Sequence, residues 1–183
     1  KMTAFRSSNS ILKKMVIISS YFKVETYGLL GPQMAATIIE DLSGCECIVI
    51  AVSREDDRGV LKKAVADYFG ARKPIIGFSV LSGREDLFSL AADLKAEGAV
   101  TILAGPQANV DFSGEIGWRE HPYRFKGLWD SFSYGLQGPA EQVLPLFSCL
   151  DTRDVSSTPG LLMAEADGTI KQYAQSAWDP KYL

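Results

Sequence analysis

Apolar residues fall along this chain in two rhythms. Unbroken runs occupy 14–21, centred on Val16, Ile17 and Ile18, then 46–53, 74–80 and 99–104. Between them, apolar positions recur every third or fourth residue across 29–42, 59–69 and 84–97. Val60, Leu61, Ala64, Val65 and Tyr68 mark one such face, and Leu87, Leu90, Ala91 and Leu94 another. Unbroken runs suit strands covered on both faces of a parallel sheet, and the spaced ones suit amphipathic helices. Pro32 sits in the first turn of the first helix, where its missing N–H costs nothing. Ser43-Gly44 and Gly70 stop the first two helices. A fifth strand is predicted at 132–137, and Gly138 opens a helix to about 150. Pro159-Gly160 precedes a strand at 161–166, and Asp167-Gly168 is a hairpin turn signal before the return at 169–174. The pattern predicts a doubly wound, flavodoxin-like (Rossmann-like) α/β fold, with a five-stranded parallel sheet and a C-terminal β-hairpin.

Three units follow: a flexible N-terminal arm at 1–13, an α/β domain at 14–158, and a hairpin and linker at 159–183. The segment 110–130 lacks a period and holds Trp118 and Trp129; it is a long excursion of the kind that packs on a sheet edge or closes over a ligand. The 183 residues suffice to bury a self-supporting core. A net charge of −3 and the absence of any basic cluster argue against a nucleic-acid partner. No apolar run reaches the length a membrane helix needs. Cys45, Cys47 and Cys149 do not form a disulfide framework, which points to a reducing, cytoplasmic setting.

The familiar nucleotide sites are excluded in turn. After the first strand the chain reads Ser19-Ser20-Tyr21-Phe22-Lys23, without the glycines that let a pyrophosphate approach a helix. No Gly-Lys-Ser/Thr occurs, so there is no P-loop. A phosphoacceptor domain needs carboxylates where Ser19-Ser20 and Phe78-Ser79 stand. His121 is the only histidine and has no identifiable partner, and no Gly-x-Ser-x-Gly elbow supplies a nucleophile. Cys45-x-Cys47 lacks a second pair and reads as buried thiols, and Arg54 to Arg58 reads as a solvated loop opening a helix. What remains are loops where parallel strands end, the place where open α/β sheets bind ligands. The loops at 79–83 and 105–109 lack bulky charges and leave backbone groups free beside apolar walls. They suit a large, flat, neutral ligand, and they also read as tight structural turns.

Several short motifs in fixed order then carry a resemblance. They are Tyr27-Gly28-Leu29-Leu30-Gly31-Pro32-Gln33, Ile76-Gly77-Phe78-Ser79, Leu103-Ala104-Gly105-Pro106-Gln107-Ala108-Asn109 and Phe132-Ser133-Tyr134-Gly135-Leu136-Gln137-Gly138-Pro139-Ala140-Glu141. Pro159-Gly160-Leu161 and Asp167-Gly168-Thr169-Ile170 follow. Together they resemble the N-terminal cobalamin-binding domain of the cobalamin-dependent radical SAM family. The resemblance implies a corrin ring lying on the carboxyl ends of the sheet. Its implied contacts are Tyr27, Gly28, Leu30, Gly31, Ser79, Val80, Leu81, Ser82, Gly105, Pro106, Gln107, Gly135, Leu136, Gln137, Gly138 and Glu141.

Departures from the family pattern are specific. Gln107 stands where a histidine is usual, Ala104 replaces a glycine, and Pro139-Ala140 interrupt a Gly-Glu-Gly-Glu motif. The Asp-x-His-x-x-Gly motif that supplies a lower ligand elsewhere is absent, which implies cobalamin held without a protein histidine. The implied function is a corrinoid-binding module presenting its cofactor for methyl or electron transfer to a C-terminal radical SAM domain. The 4Fe-4S cluster and S-adenosylmethionine would belong to that domain, and this chain alone is expected to catalyse nothing. Two alternatives stay open: a degenerate flavodoxin-like scaffold or protein-interaction domain without cofactor, and a flavin-binding electron-transfer domain.

Overall fold

The computed structural model describes residues 13–21, 29–80, 84–105, 107–108, 130–138, 140, 144, 146–147, 150, 155, 158–166 and 170–173. Strand β1 (Lys14–Ser20) is buried along nearly its whole length. Successive side chains of a strand point to opposite faces, and here Met15 and Ile17 enter one apolar cluster while Val16 and Ile18 enter the other. Helix α1 (Leu30–Ser43) covers the first face with Ala36 and Ile39. Helices α2 (Arg58–Phe69) and α3 (Glu85–Ala96) cover the second with Val65, Phe69, Leu87, Phe88, Leu90, Ala91 and Leu94. The inner strands of the sheet are therefore covered on both faces, which is why they read as unbroken apolar runs.

The remaining strands are β2 (Glu46–Val52), β3 (Ile75–Ser79), β4 (Val100–Ala104), β5 (Tyr134–Leu136), β6 (Leu161–Ala164) and β7 (Ile170–Gln172). They join β1 in one sheet of order β2-β1-β3-β4-β5-β6-β7. The first five run parallel in the flavodoxin-like order. The sheet is nevertheless seven-stranded and mixed, not five-stranded: β6 pairs antiparallel with β5, and β7 with β6. The cause is the short β5, whose outer edge would otherwise expose unpaired backbone groups. Leu161 and Leu162, both fully buried, extend the two core clusters across this junction.

Local chemistry fixes the helix ends. Asp57 caps α2, its carboxylate accepting from the Val60 N–H at 2.8 Å. The face of α2 is only partly the predicted one: Val65 is buried and Leu61 and Tyr68 pack against the core, but two expected members do not. Val60 is 69% exposed and Ala64 points outward, while Phe69 is buried with Val65. Pro32 lies in the first turn of α1 and is buried. Gly77 permits close packing of β3 on β1, because a Cβ there would sit 2.7 Å from Cε of Met15. Phe132 stacks edge-on against Phe78 and Phe88, with ring centroids 5.3 and 5.1 Å away. Of the fourth predicted helix, positions 144, 146 and 147 are helical, and Leu150 N–H donates to the Leu146 carbonyl. The N-terminal arm at 1–12, the excursion at 110–129 with its two tryptophans and His121, Cys149, the Asp167-Gly168 turn and the linker at 178–183 lie outside the described residues.

Candidate functional site

Strand pairing aligns one row of residues along the carboxyl rim of the sheet. Ala51 pairs with Ser19, Ser19 with Ser79, Ser79 with Ala104, Ala104 with Leu136, and Leu136 with Leu161. Over β1, β3 and β4 this row holds only serine and alanine, so the floor beneath the strand ends is shallow and uncharged. Gly105 follows at once with φ of 76°, a left-handed conformation that favours glycine. A Cβ there would stand 3.4 Å from the Ser79 hydroxyl, within ordinary contact, so it is the backbone conformation and not space that asks for glycine. Gly138 and Gly160 take positive φ at the same rim, after β5 and before β6. The other positive-φ glycines (Gly44, Gly70 and Gly98) follow helices at the opposite end.

Gln107 closes this rim beyond β4. Its side chain is 93% buried, and its amide oxygen has no hydrogen-bond partner. Leaving a buried acceptor unmade costs about 1–3 kcal/mol, so such a group calls for a ligand or a function. The hydroxyl of Thr158, fully buried ahead of β6, is in the same condition. Among the described residues no free cation lines this rim. The one buried guanidinium nearby, Arg84, is fully engaged in holding the fold.

Arg84 sits just before α3 with no exposure at all. Its Nε and Nη2 donate to the two oxygens of Asp86 at 2.9 and 2.8 Å, and its Nη1 donates to the Val52 carbonyl at 2.9 Å. The arrangement ties the start of α3 to the carboxyl end of β2, and so fixes one end of the β3–α3 connection. The hydrogen bonds from Arg84 hold the Asp86 carboxyl below its usual range. Sequence reasoning missed both Arg84 and Thr158. The only trace of the first was an Arg-x-Asp spacing at a helix start, and nothing local marked the second.

The sequence-predicted contacts divide as follows. Leu30 and Gly31 are exposed at the start of α1, which leaves from the carboxyl end of β1. Ser79 is half-buried at the end of β3 and Gly105 is exposed just past the adjoining end of β4, with Gln107 buried two residues further along the chain. Val80 and Leu136 are core residues, 1% and 5% exposed. Gly135 is buried within β5, and Gly138 is exposed just past it. Gln137 is buried; its N–H donates to the Gly160 carbonyl and its side-chain oxygen accepts from Gln172 on β7. It braces the rim from within. Tyr27, Gly28, Leu81, Ser82, Pro106, Glu141 and Pro139 lie outside the described residues.

Elsewhere the chemistry is quiet. An open hollow of about 690 Å³ lies where β1 and β2 end, lined by Tyr21, Leu29, Ala51, Ser53, Glu55 and Asp56. Its two carboxylates make it a poor phosphate site. Burial pushes the Cys45 thiol up to about 11 and the Cys47 thiol to about 12, so neither is a ready nucleophile. Among the described residues no three His, Cys, Asp or Glu side chains gather to hold a metal ion. No described helix is long and apolar enough to cross a membrane.

No family model matches this sequence, and no curated protein matches it. Solved structures do. The chain superposes on the cobalamin-dependent S-adenosylmethionine radical enzyme OxsB with aqua-cobalamin and S-adenosylmethionine bound, at a TM-score of 0.64 and 13% identity over 92% of its length. The same enzyme with aqua-cobalamin alone gives the same values. Its selenomethionine-labelled apo form gives 0.60 and 11%. The chain shares the fold of a segment of OxsB. That segment is 23% of the OxsB chain, so the likeness covers under a quarter of the larger enzyme.

Proposed function

We propose that this chain is a cobalamin-binding module, holding a corrinoid against the carboxyl rim of its sheet. The observation that carries the reading is the β3–β4 rim: small side chains at the strand ends, the positive-φ Gly105, and two residues further on the buried, unpartnered amide oxygen of Gln107. A corrin is flat, largely neutral at its periphery and edged with carboxamides, and this rim offers it an open floor and a buried acceptor. Ser79, Gly105 and Gln107 would meet the ring, with Leu30 and Gly31 bordering it from α1. The hollow beside β2 is too acidic for a phosphate-bearing tail. The fold shared with OxsB, whose structures contain aqua-cobalamin, supports the same reading.

When bound, cobalamin supplies a cobalt centre able to carry a methyl group or an electron. This chain's own work is to bind and orient: Arg84 and Asp86 fix the β3–α3 connection, and the uncharged row at the ends of β1, β3 and β4 offers an anion no counter-charge. The reading extends to a longer polypeptide in which residues 14–158 form the corrinoid domain and 159–183 lead toward a C-terminal radical SAM domain. That domain would hold the 4Fe-4S cluster and S-adenosylmethionine, in a cytoplasmic protein.

A second reading is a cofactor-free scaffold. It is favoured by Val80, Leu136 and Gln137, three expected contacts that serve the core instead. Parallel titrations with hydroxocobalamin and with flavin mononucleotide, followed by visible difference spectra, separate the readings. Saturable binding of the corrinoid alone is expected. Saturation by the flavin alone would overturn the proposal in favour of an electron-transfer domain, and saturation by neither would leave the scaffold.

A further inference from the structure

Two buried polar atoms in the described structure lack any partner, and the sheet register brings them to one rim. Ala104 of β4, Leu136 of β5 and Leu161 of β6 form a single cross-strand row. Gln107 lies three residues beyond that row on the chain leaving β4, and Thr158 lies three residues before it on the chain entering β6. Because β6 runs antiparallel to β5, both positions fall at the carboxyl end of the parallel strands. Strands two places apart in a sheet are about 10 Å apart. The main chain of Thr158 is satisfied, its N–H donating to Val155 and its carbonyl accepting from Leu161. Only the hydroxyl is left over.

Resting on the cobalamin reading, we infer that Gln107 and Thr158 are paired anchors for peripheral carboxamides on two edges of one corrin ring. A primary carboxamide donates through its N–H groups and accepts through its oxygen, so it can serve both the Gln107 amide oxygen and the Thr158 hydroxyl. This brings the lead-in to β6 into the site, which the β3, β4 and β5 loops alone would not. Both atoms are closed off from solvent. A ligand reaches them only as the surrounding chain yields, so association should be slower than about 10⁵ M⁻¹s⁻¹, the lower end for binding without rearrangement.

The inference has a signature that a structural role lacks. Removing an unpartnered buried polar group relieves its desolvation cost in the free protein, while removing a ligand contact weakens the complex. Gln107→Met and Thr158→Val should therefore each hold or raise the melting temperature of the ligand-free chain. Each should also raise the dissociation constant for hydroxocobalamin about tenfold, one hydrogen bond's worth. The probe of direction is cobalamin with a single peripheral carboxamide hydrolysed to carboxylate, tested as separate isomers. Wild type should bind at least one isomer about tenfold more weakly, since a carboxylate offers Gln107 no donor, and Gln107→Met should erase that discrimination. If hydroxocobalamin binds wild type and both variants alike, the anchors are refuted while the cobalamin reading survives. Variants that melt well below wild type would assign these side chains a structural role and equally refute the anchors. Failure of wild type to bind at all would bring down both.

Discussion

Arg84 carries more of this molecule than its position in the sequence suggests. It is wholly buried while its partner Asp86 keeps 42% of its side chain in solvent, so the pair is anchored on one side and hydrated on the other. Removing one partner of a fully buried pair costs about 3–5 kcal/mol, and the wet carboxylate places Arg84→Met near the lower end, about 3 kcal/mol. The midpoint of urea unfolding measures it. The same pair sets an acid limit. The Asp86 carboxyl titrates below its ordinary value of 3.8, so its stabilisation is complete above that pH and is lost as pH falls through the depressed folded value. Acid unfolding of Arg84→Met should be shallower below about pH 4 for that reason. Gly105→Ala probes the rim itself. Its Cβ would make ordinary contact with Ser79, so the cost is backbone strain of about 1 kcal/mol, read from the thermal midpoint.

At the scale of elements, the strands and helices covered on known sides were legible, and their phase was less so. The runs around Val16, Ile48, Ile76 and Ile102 announced β1 to β4: a strand covered on both faces, as β1, β3 and β4 are, leaves little room for polar residues, and the outer β2 carries a similar run at partial burial. The α2 face was misjudged at Val60, an apolar residue in the first turn that stays 69% exposed, because apolar character alone does not require burial. Val60→Thr should therefore change stability by less than about 0.5 kcal/mol, whereas Val65→Ala, at a site 1% exposed, should cost about 2 kcal/mol in the same urea series. The antiparallel pairing of β6 on β5 escaped local reading, since period and turn signals fix a strand but not its neighbour. Arg84 and Thr158 escaped for a related reason. Burial of a polar side chain is a tertiary outcome, and neighbouring residues did not foretell it.

For the whole molecule, two regions have separate tasks. The amino end of the sheet is sealed: the Cys45 and Cys47 thiols are buried there and held neutral, chiefly by desolvation. Their folded values exceed the ordinary 9.0, so the stability they contribute is intact below that pH and declines as pH rises toward about 11 and about 12. Melting temperatures should fall above about pH 9, and Cys47→Ala should flatten that slope. At the carboxyl end the described residues are serine and alanine along the strand ends, Gly105 at positive φ, and two buried polar atoms without a partner. Of that rim, Ser79, Ala104 and Gly105 were legible as small residues at strand ends; Val80, Leu136 and Gln137 instead turned into the core, and the unpartnered atoms depended on burial and register.

The most direct test is to incubate the chain with hydroxocobalamin, desalt it, and record the visible spectrum with the protein concentration. The account predicts about one retained equivalent per chain, with no histidine on the cobalt and a spectrum that His121→Ala leaves unchanged. A desalted protein without corrin absorbance, or a corrin spectrum altered by His121→Ala, would contradict it.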